Sequence, residues 1–373
     1  MGTAAELLGV LDDIAPFSLA EDWDNVGLIA GSAAWPTTGP ALLTIDLTLA
    51  VAREAIALGA GAVMAYHPPI FGPTRRLVDD SGRTAAILDL LAARIAIISP
   101  HTALDAADGG IADFLADIVA PGCRLAPITP HLAHRSGGTH KLVTFVPRAA
   151  VEAVRIAMAA AGAGLIGDYT ECAFMTDGRG SFRGSPDSNP TIGAPGELEF
   201  VEEVRLEMVC PGRALASVIA ALTEAHPYEE PPVDIHPVGA VPSVALGAGR
   251  IARSDEGQSL RELSDRIKKG LGVSALQIAD ASPGAKHHLI AVCPGAGSSL
   301  LDAAAAAGAT LFLTGEMRHH DVLTALDRGV SVILAGHTET ERPYLPVLAR
   351  RIREKNPALT AVVSKADRSP FEQ

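Results

Sequence analysis

Residues 41–67, ALLTIDLTLAVAREAIALGAGAVMAYH, decide the fold class. The run 41–47 is continuously apolar and rich in branched residues, as a parallel strand buried on both faces should be. Residues 51–58 read as the helix behind it, Gly59-Ala-Gly61 ends that helix, and residues 62–65 form the next strand. Strand, crossover helix and strand with short links make a βαβ unit, which calls for an α/β fold. His67 stands just past the second strand. Pro68 and Pro69 follow it, force extended backbone and stiffen the turn.

Three more stretches have the same grammar, an apolar run followed by an imidazole or a carboxylate. They are 95–105 (IAIISPHTALD), 310–316 (TLFLTGE) and 331–341 (SVILAGHTETE). In an open α/β sheet, groups at the carboxyl ends of strands converge on one crevice. Here the converging groups are the usual ligands of a divalent metal. His101 and Asp105 lie four apart: Asp105 has two oxygens that can bridge two metals, or it or Asp108 caps the helix beyond. His337 and Glu341 have the same spacing, with Glu341 expected in the first turn after its strand and Glu339 pointing elsewhere. A solvated carboxylate at a helix start is the plainer reading of both glutamates. Glu316, His319 and His320 are candidate ligands, acid–base groups or supports.

Other groups are ambiguous. Asp46 can orient an imidazole or bind substrate. Trp23 can stack a flat ring or serve as a buried anchor. The turns at 295–299 (GAGSS) and 247–250 (GAGR) resemble anion-binding turns without P-loop or GxGxxG spacing. The pair His287-His288 precedes a strand, so it belongs at the opposite end of the sheet, and His131, His134 and His140 fall at a domain junction.

Between residues 138 and 241 the grammar changes. Residues 141–146 alternate like a half-buried strand, 149–160 and 214–225 are helical, 178–196 read as a hairpin or loop, and 199–208 form a strand with one wet face. This is a ferredoxin-like α+β block inserted in an α/β domain whose halves are 1–137 and 242–373. The 373 residues suffice for two domains. A net charge of −13 argues against binding a nucleic-acid polymer or an anionic membrane. The four cysteines form no CxxC pair and read as reduced thiols. The amino-terminal stretch has no basic start, so the cytoplasm is the expected location.

The motifs 22–27 (DWDNVG), 46–48 (DLT), 66–71 (YHPPIF), 101–105 (HTALD), 247–249 (GAG), 314–316 (TGE), His320-Asp321 and Gly336-His337 with Glu341 occur here in order. Together they resemble the NIF3-like family, the bacterial GTP cyclohydrolase type 2 homologs or dinuclear metal-centre proteins. The stretch 225–231 (AHPYEEP) is similar to the inserted domain of the longer members. The resemblance implies a two-part NIF3-like α/β domain around a metal centre of up to two ions per chain. Zinc is the first expectation, with iron or manganese as alternatives. It assigns His67, Asp105, His337 and Glu341 as ligands, and implies a homohexamer. Many relatives carry two consecutive histidines where this chain has Tyr66-His67.

The expected function is metal-dependent hydrolysis of a small nucleotide-type substrate, with His101, Glu316 and His320 as the catalytic candidates. A triphosphate would need cationic or backbone contacts, for which Arg318 or the 295–299 turn is available. A phosphoesterase would use the same centre. A non-enzymatic metal-binding scaffold or metallochaperone is the alternative from another class.

Overall fold

The structure is a computed structural model and describes residues 2–123, 125–133 and 138–371. His134, one of the junction histidines, lies outside them. The chain divides into two compact units, residues 1–131 with 243–373, and residues 132–242.

The first unit contains two large sheets, of five and six strands, where the sequence suggested one crevice on one sheet. The first has the order Ala361–Val363, Ala41–Thr44, Ala62–Ala65, Ala96–Ser99, Gly27–Ala30, with only the last strand antiparallel. Its strands alternate strictly. Leu42, Val63 and Ile97 pack under the helices Leu49–Leu58 and Gly82–Ala92. Leu43, Met64 and Ile98 face the helices Ala4–Ile14 and Leu345–Lys355. Both faces are covered, which is why these runs carry no polar alternation.

The second sheet has the order Gln277–Ala279, Ser331–Leu334, Leu311–Glu316, Lys286–Ala296, Arg250–Ser259, Leu125–Ala126. Its central three strands are parallel to one another. Val292, Leu311, Leu313 and Ile333 pack on the helices Ile111–Val119 and Leu260–Leu271. Ala291, Phe312 and Val332 pack on Leu301–Ala306 and His319–Asp327. The helix Ile111–Val119 serves both cores, with Ile111 in the first and Leu115 and Val119 in the second.

Arg250 fastens the two halves of this unit. It is 1% exposed, pairs with Asp113, and donates to the carbonyls of Gly247, Gly249, Ala106 and Ala107. The 247–250 turn is therefore a structural clamp rather than an anion site. Breaking one side of such a buried pair costs about 3–5 kcal/mol.

The second unit is a four-stranded antiparallel sheet, ordered Phe174–Arg183, Leu198–Cys210, His140–Pro147, Val233–Pro237. The helices Val151–Ala160 and Leu215–Ala225 share one core with it, built on Leu142, Val146, Leu206 and Met208. The stretch expected as a hairpin or loop from residue 178 is strand through Arg183, paired to Leu198. The glycines there mislead because Gly180 serves packing: a Cβ would strike the Glu203 carboxylate, which accepts the Tyr228 hydroxyl at 2.6 Å.

Candidate metal centre

The carboxyl ends of the two sheets of the first unit meet. His67 follows Ala62–Ala65, and its N–H extends the parallel ladder to the Ile45 carbonyl at 3.0 Å. His337 follows Ser331–Leu334 on the other sheet. Glu341 sits in the turn beyond it, as expected, with its N–H on the Thr338 carbonyl. His67, His337 and Glu341 bring donor atoms within 4.8 Å of one another, the one such grouping among the described residues.

The three form a chain of paired groups. Glu341 Oε2 lies 3.4 Å from His67 Nε2, and Glu341 Oε1 lies 3.4 Å from His337 Nε2. Behind each imidazole stands another carboxylate. Asp46 Oδ1 is 2.9 Å from His67 Nδ1, and Glu316 Oε1 is 3.1 Å from His337 Nδ1. An imidazole held at one nitrogen by a carboxylate presents the other as a donor, the arrangement that supports metal-bound histidines. Asp46 thus orients an imidazole, and Glu316 stands behind His337 in the same way.

Two observations test whether a divalent ion suits these residues. Glu341 is 2% exposed, and its Oε2 has no hydrogen-bond partner. A buried carboxylate oxygen without a hydrogen bond is costly unless a cation meets it, and in the metal-free protein the His67 imidazole stands 3.4 Å away. The spacing is also right: donors about 2.1 Å from a tetrahedral ion stand about 3.4 Å apart. Gly295 makes the room. It has φ +59°, and a Cβ there would lie 2.6 Å from Glu341 Oε1 and 3.1 Å from His337 Nε2. Its N–H donates to Thr340 Oγ1 at 2.9 Å, so the 295–299 turn packs the centre and does not hold out free N–H groups at Gly295.

The electrostatics follow the geometry. Burial alone would push the His67 imidazole down, but Asp46 and Glu341 overcome it and raise it to about 10. Burial pushes Asp105 well above the usual carboxylate range, and the Glu341 charge adds to this. Burial also holds Tyr66 as a neutral phenol, reinforced by the charges of Asp105 and Glu341. The phenol donates to Asp105 Oδ1 at 2.6 Å. Asp105 is therefore beside the trio but held by Tyr66.

His101 lines the cleft with Nδ1 2.7 Å from Asp24 Oδ1, and its ring is 5.5 Å from that of His67. The structure places it on the first turn of the helix His101–Ala106 with φ +27°, a conformation uncommon for a side-chain-bearing residue. His320 is the second residue of the helix His319–Asp327, and its imidazole makes ring contact with His319 at 5.6 Å and no ion pair among the described residues. His287 is buried against Thr310 Oγ1 at 3.1 Å, as a structural histidine. Trp23 is 59% exposed, so it is not a buried anchor; it leans on Phe71 at 5.8 Å.

His67, His337 and His101 border a cleft of about 830 Å³. Asp24, which holds His101, was visible only as one of several polar residues in its loop. Arg83 and Arg368 also line the cleft, and no motif marked them. All four cysteines are free, and no helix is long and apolar enough to cross a membrane among the described residues.

Comparison with known proteins agrees with this architecture. The model of the Duf34/NIF3 (NGG1p interacting factor 3) family matches residues 3–370. The GTP cyclohydrolase 1 type 2 homolog of Halalkalibacterium halodurans is 33% identical over 364 residues, covering 96% of this chain and 95% of the relative. NIF3-like protein 1 of Rattus norvegicus is 31% identical, covering 98% and 91%. Among solved structures, a Bacillus cereus protein related to NIF3 superposes with TM-score 0.75 at 30% identity, covering 100% of this chain and 99% of that one. A Staphylococcus aureus protein gives TM-score 0.81 at 26% identity, covering 100% and 98%. On the strength of the full-length match and the shared fold, this chain belongs to the Duf34/NIF3 family.

Proposed function

We propose that the trio holds divalent metal and that the chain is a metal-dependent hydrolase of small nucleotide-type substrates. The observation that carries this reading is the buried Glu341 carboxylate, which turns one oxygen to each of two imidazoles and leaves Oε2 without a hydrogen bond. Bound there, a divalent cation supplies Lewis acidity and hydroxide near neutral pH.

The chain's own residues do the rest. His67, His337 and Glu341 would hold the ion, and Asp105, bonded to Tyr66, would be the fourth ligand. Asp46 and Glu316 hold the two imidazoles in register. His101, fixed at Nδ1 by Asp24, takes up or returns a proton at Nε2. The exposed Trp23 and Phe71 offer flat apolar surface for a base. Because Glu341 offers two oxygens, we propose up to two ions, with zinc suiting the mixed nitrogen and oxygen set and iron or manganese as alternatives. We assign the 132–242 unit to the ferredoxin-like class on its strand order and paired helices. We also propose a homohexamer, as the family resemblance implies, to be tested by light scattering.

The test is reconstitution with each metal, elemental analysis, and a screen against nucleotides and phosphoesters, with Glu341→Gln and Asp105→Ala alongside. Metal and turnover lost together in Glu341→Gln support the reading. Full metal content in that variant rejects the ligand role, and turnover that survives in both variants rejects the assignment of catalysis to this site. Bound metal with no turnover on any substrate places the chain with the scaffold proteins.

A further inference from the structure

The cleft beside the trio is electrostatically unlike the rest of this acidic chain. Two arginines, Arg83 and Arg368, line it, and their guanidinium groups make no ion pair or hydrogen bond among the described residues. Arg250 and Arg342 of the same unit, by contrast, are paired with Asp113 and Asp367. The one carboxylate on the cleft wall, Asp46, is committed to His67. Two helices also begin at this wall. Thr48 and Leu49 open the helix Leu49–Leu58, and Gly82 and Arg83 open Gly82–Ala92. Their amino-terminal N–H groups add partial positive charge on the same side. Pro68, Pro69 and Phe71 add apolar surface to the same wall.

We propose that Arg83 and Arg368 form an anion subsite that takes the phosphate group of a phosphomonoester, such as a nucleoside monophosphate. Arginine suits this because its fork of donors matches phosphate oxygens two at a time. The metal-site reading enters only in placing the reacting end of that substrate at the trio; the subsite itself stands on the arginines and the cleft. The subsite departs from the sequence-based suggestion of Arg318, which does not line this cleft.

The experiment is calorimetric titration of metal-free protein at low salt with inorganic phosphate, and then with adenosine monophosphate. The proteins are wild type, the double variant Arg83→Gln/Arg368→Gln, its Arg83→Lys/Arg368→Lys counterpart, and Glu341→Gln. Both arginines are exposed, and circular dichroism is used to check that each variant folds. The expected result is binding by wild type, weakened by about tenfold or more in the glutamine pair and partly restored by lysine. Tighter binding of the nucleotide than of phosphate identifies an ester as the occupant, and equal binding limits the subsite to the phosphate group. Equal affinity in wild type and the glutamine pair, or no binding by wild type, overturns the proposal. Metal content is measured in parallel: failure of the metal reading appears there, in Glu341→Gln, without altering the phosphate result.

Discussion

Tyr66 donates its phenol proton to Asp105 across 2.6 Å, in a site where the tyrosine is buried, the aspartate is half-buried and neither favours its charged form. The bond makes Asp105 part of the wall rather than a free ligand. Tyr66→Phe removes the donor while keeping the ring. It should raise metal stoichiometry or affinity and lower the stability of the metal-free protein by about 1–3 kcal/mol, the cost of an unsatisfied buried acceptor. Tyr66→His should raise stoichiometry further. Elemental analysis and denaturant unfolding read both effects, and unchanged stoichiometry in both variants would show that Tyr66 does not limit loading.

Asp46→Asn should weaken metal binding without unfolding the chain. The amide keeps the size but loses the charge that makes His67 a strong donor, and such outer carboxylates are worth about 10–100-fold in affinity. Competition with a chromophoric chelator measures it. Glu316→Gln should act alike through His337, less strongly because Glu316 is 59% exposed. No change in either affinity would remove the buttressing role.

The pH response of the metal-free protein follows from His67. Its folded-state value, about 10, is above the ordinary 6.5, so its contribution to stability is full below pH 6.5 and fades as pH rises through 10. A ligand imidazole must be neutral, so metal uptake expels this proton. Thermal melts of metal-free wild type should therefore drop between pH 7 and 10, and those of His67→Gln should drop less. Metal titrations at pH 7 in buffers of different ionisation enthalpy should reveal proton release. Identical heats in all buffers would contradict the assignment.

The 132–242 unit carries its own pH sensitivity. His226 accepts the Tyr228 N–H at Nδ1 and donates from Nε2 to the Phe145 carbonyl, so its neutral form is fully bonded. Burial lowers its pKa, partly opposed by the Phe145 bond and Glu203. A lowered value means stability that is present above about pH 6.5 and lost as pH falls through the folded-state value. Hydrogen exchange should show residues 132–242 opening earlier at pH 5 than at pH 7, and His226→Gln should flatten the difference. Equal protection at both pH values in wild type would count against the bonding scheme.

How much of this was legible beforehand differs by element. The strands 41–44, 62–65 and 96–99 were readable because continuous apolar runs bounded by glycine and proline are strong local signals. Asp46 and Glu341 were found in their right local places for the same reason. The strand Phe174–Arg183 was obscured by glycines whose purpose, room for Glu203, is visible only across the sheet.

The sequence alone determined the family, the α/β class and which strands end in imidazoles or carboxylates, because each follows from short-range pattern. Only the tertiary structure decided that the donors come from two sheets. It also decided that Glu341 faces both imidazoles, that Tyr66 holds Asp105, and that Arg83 and Arg368 share a cleft. Two of those relations, His67 with Glu341 and Arg83 with Arg368, join residues hundreds of positions apart. They depend on how sheet ends meet and on which charges burial leaves unpaired, quantities that no local spacing encodes.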